Sequence, residues 1–153
     1  MSWQFEQTTN PEHLALAFEW HCRTPSFLRI SCGYTFTDKE LFVNTLAKGL
    51  NWIGYEDGQP KALVYGEITS DTAIQGHLYN AKHTNIDFLT ATITFAKKEA
   101  LKQFETVGVE IPTRHRTLHG LILRAGFFDL GLHKYKGIIH GKLFESSHYI
   151  AMN

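Results

Sequence analysis

Residues 85–104 read NIDFLTATITFAKKEALKQF, which is the longest helical pattern in the chain. Apolar and basic side chains separate onto two sides of this pattern, with Ile86, Leu89, Ile93, Ala100 and Phe104 on one and Lys97, Lys98 and Lys102 on the other. This spacing predicts an amphipathic helix, and its polar start, Asn85 and Asp87, is typical of helix caps. We expect the helix to pack across one face of a sheet and to bury Ile93 there.

The segment before this helix predicts two further helices and four strands. Asn10-Pro11-Glu12 is typical of a helix start, because it combines a capping side chain, a proline at the first helical position and an early acid. Thr37-Asp38-Lys39-Glu40 is a capping box that predicts a second helix ending at Gly49, a left-handed cap. The first helix should run to about Cys22, with Leu14, Phe18 and His21 on one stripe. Four strands are expected: near Trp3–Thr8, at Trp52–Glu56, at Lys61–Ile68 after an Asp57-Gly58 turn, and at Ala73–Asn80.

Four more elements are predicted after residue 104. A short strand at Val107–Ile111 is closed by Pro112, and a helix from Thr113 stops at Gly126. Leu118, Leu121, Ile122 and Ala125 form the apolar side of that helix. Two strands complete the chain, Phe127–Tyr135 and Ile138–Ile150, with Gly137 and Gly141 as bends or bulges.

The composition bounds the class of protein. The 153 residues contain no repeat and no Pro/Gly-rich linker, so we expect one domain over residues 1–153. The fifteen basic and fifteen acidic residues give a formal net charge of zero. A protein that coats nucleic acid usually carries an excess of positive charge, so nucleic acid is not an expected partner. No run approaches the roughly 20 apolar residues that cross a bilayer, which excludes a membrane partner and favours a cytoplasmic protein. Cys22 and Cys32 fit no zinc spacing and are interpreted as buried or half-buried thiols.

The order of the predicted elements is strand, two helices, three strands, long helix, strand, helix, two strands. Together with Ile122-Leu123-Arg124-Ala125-Gly126-Phe127 and the following Gly131, this order resembles the GNAT (N-acetyltransferase) superfamily across essentially the whole chain. The resemblance implies an α/β (α+β) fold: a mixed, mostly antiparallel sheet of six or seven strands flanked by about four helices. It also implies transfer of an acyl group from acetyl-CoA to an amine.

The phosphate-binding turn of that family is altered here. In the family the strand before the long helix leads into a glycine-rich turn, whose glycines let the backbone approach the coenzyme A pyrophosphate. The corresponding stretch, residues 80–88, contains no glycine, and Asp87 places a negative charge where the phosphates would lie. The residues that the resemblance leaves for the cofactor are Lys82, His83, Thr84 and Asn85. We therefore expect weak acetyl-CoA binding.

The usual general acid of the family is also missing. Many members carry a tyrosine four residues before the glycine that ends the last helix, where this chain has Ile122, and an asparagine at the helix start, where it has His115. An aliphatic side chain cannot donate a proton. Glu67 and Glu110, on strands predicted to flank the cleft, are the candidate general bases, and His77 and His83 are weaker candidates.

Two functions therefore stay open. One is an N-acyltransferase of weak or lost activity. The other is a non-catalytic assembly factor. The chain is similar to a GNAT-like head-assembly family of short-tailed bacteriophages in its length, in its histidine- and aromatic-rich composition and in its C-terminal glycines 137 and 141. That resemblance implies protein partners or self-association, in a host cytoplasm or a virion. An open gap between the middle strands would favour the enzyme, whereas a gap filled by side chains would favour the assembly factor.

Two polar clusters have simpler interpretations. His115 and His119 lie four residues apart on a predicted helix, but further metal ligands are not evident, so we expect no metal. Arg114, Arg116 and Arg124 form the most basic local cluster; a solvated helix face is the favoured interpretation, with a phosphate site as the alternative.

Overall fold

The computed structural model describes residues 2–24, 38–113, 115–139 and 142–152, and of residues 132–139 and 142–144 it describes the backbone only. The predicted order of elements is confirmed within these ranges. The elements are β1 (Trp3–Gln7), α1 (Pro11–Arg23), α2 (Lys39–Ala47), β2 (Leu50–Glu56), β3 (Gln59–Ile68), β4 (Ala73–Asn80), α3 (Ile86–Ala100), β5 (Thr106–Pro112), α4 (Arg116–Arg124), β6 (Phe128–Ile139) and β7 (Lys142–Met152).

The seven strands form one sheet in the order β1-β2-β3-β4-β5-β7-β6. Every neighbouring pair is antiparallel except β4 and β5, which are parallel, so the predicted mixed and mostly antiparallel sheet is confirmed. The parallel pairing is short, because only Ala73–Gln75 and Thr106–Gly108 are in register. Beyond these residues, the carboxyl-terminal halves of β4 and β5 do not pair with each other.

Helices cover the sheet on both faces and create two hydrophobic cores. Val64 of β3 faces the larger core, to which α3 and α4 contribute. Its neighbours Leu63 and Tyr65 face the smaller core, which contains residues of α1 and α2. This alternation follows from the two-residue period of a strand. Three layers result, with the sheet in the middle.

Helix α3 confirms most of the predicted pattern and corrects two of its members. Asn85 caps the helix, accepting hydrogen bonds from the backbone N–H groups of Asp87 and Phe88, while Leu89, Ile93 and Ala100 are buried as predicted. Ile86, which the spacing places on the apolar side, is 46% exposed. Lys97, predicted on the solvated side, is half-buried because α4 packs beside α3. The Lys97 Nζ donates a hydrogen bond of 2.6 Å to the carbonyl of Ala125, the residue that follows α4.

The first two helices agree with the sequence except at single residues. In α1 Leu14 and His21 are buried as expected, and Phe18 is half-buried. Cys22 is exposed, contrary to its interpretation as a buried or half-buried thiol, because it lies on the outer side of the last turn of α1; Cys32 lies outside the described residues. Helix α2 is capped by the side chain of Asp38, which accepts from the Leu41 N–H, so the cap lies one residue after the predicted Thr37, itself outside the described residues.

Gly49 follows α2, but the prediction of a left-handed cap there is wrong. Its φ angle is not positive, and Lys48 caps the helix in a right-handed conformation. Glycine is required by space: a Cβ on Gly49 would lie 2.2 Å from the carbonyl oxygen of Gly66 and 2.6 Å from Cε1 of Tyr65. The Asp57-Gly58 turn, in contrast, does have positive φ angles of 51° and 79°, as a tight hairpin needs.

The C-terminal strands confirm the prediction in outline. Gly126 ends α4 with a φ of 89°, and β6 and β7 form the expected antiparallel pair. The boundary between them is later than predicted, because β6 continues to Ile139 and β7 begins at Lys142. A register shift between Tyr135 and Gly137 is the bulge expected at Gly137, and Gly141 lies outside the described residues.

The space around Gly49 predicts a large cost for adding one methyl group. Gly49→Ala should lower the free energy of unfolding by about 2 kcal/mol or more, because the contact is with backbone that cannot move aside cheaply. Gly120 is the matched control, since it lies exposed within α4 with nothing within 4 Å of an added Cβ. Gly120→Ala should stabilise by about 0.5–1 kcal/mol. Urea unfolding of both variants tests this, and equal effects would contradict the close approach at Gly49.

Candidate functional site

A cavity lies where β4 and β5 separate. Its volume is about 350 Å³, and residues of β4, β5, α3 and α4 line it. His21 and Thr24, at the end of α1, also contribute to its wall, so the cavity reaches the α1 side of the sheet as well as the α3 side. Among the residues that the structure describes, no side chain fills the gap between the middle strands, and the gap is therefore open.

Two histidine–carboxylate pairs lie at this gap. On β4, Nε2 of His77 is 3.1 Å from Oε2 of Glu67 on β3. On β5, Oε1 of Glu110 is 3.4 Å from Nδ1 of His148 on β7. His77 and Glu110 line the cavity, whereas Glu67 is not part of the lining and contacts it through His77.

The environment of each pair sets what it can do. The His77 ring stacks on Tyr65 with 5.4 Å between ring centroids, and its side chain is only 11% exposed. A carboxylate that holds one nitrogen of an imidazole orients the ring, which is the arrangement of a general base. Glu110 is 21% exposed and partly removed from water, so it too is placed to accept a proton inside the cavity.

The turn between β4 and α3 differs from the expectation in one respect. His83 has a φ of 58°, so the left-handed conformation that glycine usually supplies occurs here without glycine. Thr84 Oγ1 donates to the Ala81 carbonyl at 2.6 Å and stabilises this turn. Of the four cofactor candidates, His83 and Thr84 line the cavity, whereas Lys82 and Asn85 are exposed and do not contribute to its wall.

The start of α3 is already occupied by the chain's own groups. Oδ1 of Asn85 accepts from the backbone N–H of Asp87 at 2.8 Å and from that of Phe88 at 3.2 Å. The Asp87 carboxylate is exposed and pairs with Arg124 at 2.6 Å. A phosphate needs free N–H groups and positive charge at a helix N-terminus. At this helix start, the N–H groups of Asp87 and Phe88 already have a partner in the chain, and the nearest side-chain charge in the first turn is the negative one of Asp87.

Helix α4 supplies the last polar groups near the cavity. Ile122 is buried in the core, so no proton donor stands at its position. His115 lines the cavity; burial lowers its pKa, and the nearby His119 lowers it further. His119 Nε2 lies 3.1 Å from the Pro112 carbonyl, which can only accept. Neutral His119 therefore carries its proton on Nε2 and accepts at Nδ1 from the Tyr149 hydroxyl, 2.5 Å away.

These contacts bear on the metal and phosphate interpretations. Both ring nitrogens of His119 already have protein partners, and the described ranges contain no group of three or more His, Cys, Asp or Glu side chains that could hold a metal ion. In the basic cluster Arg116 is exposed, Arg124 pairs with Asp87, and Arg114 lies outside the described residues.

One member of the site was not found from the sequence. His148 meets Glu110 only because β5 and β7 are antiparallel neighbours with these two residues in register. No spacing within the sequence indicates a pairing over that separation. In hindsight the alternation of β7, with buried Tyr149 and Ala151 on the other side, places His148 on the face of Glu110.

No helix in the described part of the chain is both long and apolar enough to cross a membrane. No protein-family model matches the sequence, and no curated protein to which it was compared matches it.

Solved structures do match the fold over nearly the whole chain. An N-acetyltransferase from Staphylococcus aureus Mu50 has a TM-score of 0.78 and 14% identity, with 99% of this chain and 98% of that chain covered. A GNAT superfamily phosphinothricin acetyltransferase from Sinorhizobium meliloti, in complex with AcCoA, has a TM-score of 0.81 and 13% identity, with 99% and 89% covered. Mutant forms of the spermidine/spermine N-acetyltransferase from Vibrio cholerae have a TM-score of 0.75 and 9% identity, with 99% of this chain and 95% of that chain covered. The fold is thus the one that the sequence resemblance implied.

The engaged nitrogens of His119 predict that folding needs no metal. Incubation with a strong chelator should leave Tm unchanged within the error of a thermal melt, because no described cluster depends on a bound ion. The experiment uses the purified chain before and after chelation and again after zinc is added back. A fall of several degrees that zinc reverses would contradict the prediction.

Proposed function

We propose that this chain, whose fold is that of the GNAT acetyltransferases, is an N-acyltransferase that holds the thioester end of its acyl donor in the cavity between β4 and β5 and binds coenzyme A weakly. The observation that carries the proposal is the open cavity with His77 on one strand and Glu110 on the other. A filled gap was the feature expected of an assembly factor, and the gap is open. The solved acetyltransferases support the proposal through the fold alone.

The residues at the cavity have distinct roles in this proposal. The acyl donor supplies an electrophilic carbonyl, and the amine nitrogen forms the new C–N bond while the C–S bond breaks. Glu110, supported by His148, accepts the proton that the amine loses. His77, oriented by Glu67, is the second candidate for that proton. Ile122 cannot protonate the departing thiolate. The His115 imidazole, which lines the same cavity just before α4, is the group that we propose to supply this proton.

Weak coenzyme A binding follows from the start of α3. The N–H groups of Asp87 and Phe88 would have to exchange the Asn85 side chain for a phosphate, and the Asp87 carboxylate would repel it. The cavity can still exclude water around the thioester, which strengthens the electrostatic contribution of Glu110 to the reaction. Positioning in the cavity rather than phosphate binding is thus the main source of catalysis that we propose.

A surface for protein partners or self-association has one observation in its favour. Phe128 and Leu130 of β6 and Met152 of β7 are large apolar side chains that are 70%, 47% and 61% exposed. Exposed apolar groups of this kind concentrate at interfaces. A role in bacteriophage head assembly stays a prediction from the sequence, as does a location in a host cytoplasm or virion.

The α3 start predicts how coenzyme A affinity responds to substitution. The dissociation constant for acetyl-CoA should be no tighter than about 100 μM, or about 5.5 kcal/mol of binding free energy. Asn85→Gly should tighten it several-fold, because it frees the two N–H groups at a cost to the helix of only a few tenths of a kcal/mol. Asp87→Gly should act in the same direction by removing the carboxylate.

Isothermal titration calorimetry measures these constants, and Asp38→Gly is the matched control. It removes the same kind of cap from α2, away from the cavity, and should leave acetyl-CoA affinity unchanged. A low-micromolar constant for the unchanged protein, or no response to Asn85→Gly, would contradict the account of the α3 start.

The position of Glu110 predicts a kinetic effect. Glu110→Gln should lower kcat for acyl transfer to a reactive amine by about 100-fold, because general-base catalysis contributes about 10²–10⁴-fold. Acetyl-CoA affinity should change little. Release of free thiol in the presence of a panel of primary amines measures the rate. Glu105→Gln, on an exposed residue just before β5, is the control, and equal rates for the two variants would refute the role of Glu110.

A further inference from the structure

Strand β7 presents two neighbouring side chains to opposite faces of the sheet. His148 lies beside Glu110 of β5, with 3.4 Å between Nδ1 and Oε1. Tyr149 is 4% exposed and belongs to the larger core, where its hydroxyl meets His119 of α4. Because consecutive residues of a strand point to opposite faces, one short stretch of β7 contacts a cavity-lining strand on one face and a helix on the other.

Tyr149 and a backbone carbonyl together fix the ring of His119. The Tyr149 hydroxyl lies 2.5 Å from Nδ1, and the two ring centroids are 5.5 Å apart. Burial, together with the negative charge of Asp129, raises the pKa of Tyr149, so the hydroxyl keeps the proton that it donates to Nδ1. On the other side of the ring, Nε2 donates to the Pro112 carbonyl at 3.1 Å. With a partner at each nitrogen, the ring has one tautomer and one orientation.

The Pro112 carbonyl joins His119 to the residue that precedes α4. The same oxygen accepts from the backbone N–H of His115 at 2.9 Å. A carbonyl oxygen has two lone pairs, so it can hold both hydrogen bonds at once. The backbone N–H of His119 in turn donates to the His115 carbonyl at 3.3 Å. His115 and His119 are thus located by one oxygen at the end of β5.

The start of α4 has little stabilisation of its own. His115 occupies the cap position but makes no side-chain cap hydrogen bond, and the first turn of the helix contains no acid. Both features commonly stabilise a helix start. The imidazole of His115 lines the cavity instead. The hydrogen bond from the His119 ring to Pro112 therefore supplies, from tertiary structure, a contact that the local sequence lacks.

We infer that His119, held by Tyr149, is a positioning residue that keeps the His115 imidazole at the cavity wall. The inference rests on the proposed function, in which His115 protonates the departing thiolate. Strand β7 then supports both ends of the proton transfer, because His148 orients Glu110 and Tyr149 locates His115 through His119. A misplacement of a reacting group by about 1 Å can lower a rate by about 100-fold, so such support matters for kcat.

Two substitutions of His119 separate its two contacts. His119→Gln retains an N–H group near the position of Nε2 and thus the donor to Pro112, whereas His119→Asn retains only a partner for Tyr149. With acetyl-CoA and a primary amine, kcat should fall at least about ten-fold in His119→Asn, and His119→Gln should retain at least about half of it. KM for the amine should stay within about two-fold in both variants. Equal kcat values for the two variants would overturn the inference.

Nuclear magnetic resonance relaxation supplies a measurement that needs no activity. The backbone amide of His115 should have an order parameter of about 0.85 in the unchanged protein and in His119→Gln, and below about 0.6 in His119→Asn. An amide that stays ordered in His119→Asn would overturn the inference. If the protein transfers no acyl group and the order is nevertheless lost, the proposed function fails and the positioning of His115 stands.

Tyr149→Phe tests the hydroxyl, and Tyr55→Phe is its matched control. The Tyr55 hydroxyl also meets a histidine, Nε2 of His13 at 3.1 Å, but neither residue lines the cavity. Tyr149→Phe should lower kcat at least about three-fold and reduce the His115 order parameter, and Tyr55→Phe should do neither. Thermal melts check that each variant folds. Should His119→Asn not fold, Tyr149→Phe decides the matter, and the same behaviour in both tyrosine variants would overturn the inference.

Discussion

The short parallel pairing of β4 and β5 is the constraint on which the rest of the site depends. Only Ala73–Gln75 and Thr106–Gly108 are in register, and the two strands then separate. The sheet is held together across this gap by the pairing at its base and by helices that pack over both sides. Because the separated halves do not pair with each other, a cavity forms between them inside an otherwise closely packed molecule. Its chemistry is that of the residues which happen to face the gap.

The N-terminus of α3 illustrates a competition between stability and ligand binding. Asn85 satisfies two N–H groups that would otherwise be without partners, and such a cap is commonly worth about 1 kcal/mol. The same two groups are those that a phosphate would need. Asp87 strengthens both effects, since an acid in the first turn interacts favourably with the helix dipole and repels an anionic ligand. Here the chain stabilises its own helix with interactions that elsewhere hold a ligand.

The polar groups of the cavity share a low-dielectric setting that gives each a larger effect than it would have in water. Glu110 and His77 each have a partner on the next strand, which keeps them oriented. Both side chains are therefore placed for proton transfer inside the cavity.

The sequence alone determined those features that depend on neighbours close along the chain. The periodicity of α3, the Asn85 cap, the Asp57-Gly58 turn and the Gly126 stop act through contacts within a few residues, so their residue types suffice to predict them. Tertiary structure decided the rest. Gly49 is required by the carbonyl of Gly66, which approaches from another strand.

The same holds for the site itself. Glu110 meets His148 through the register of β5 and β7, and Lys97 meets Ala125 because α4 packs beside α3. The open gap likewise arises only once the strands are placed. Local patterns specify elements through short-range hydrogen bonds and side-chain period, whereas cavities and paired side chains depend on which distant residues the packed sheet brings together.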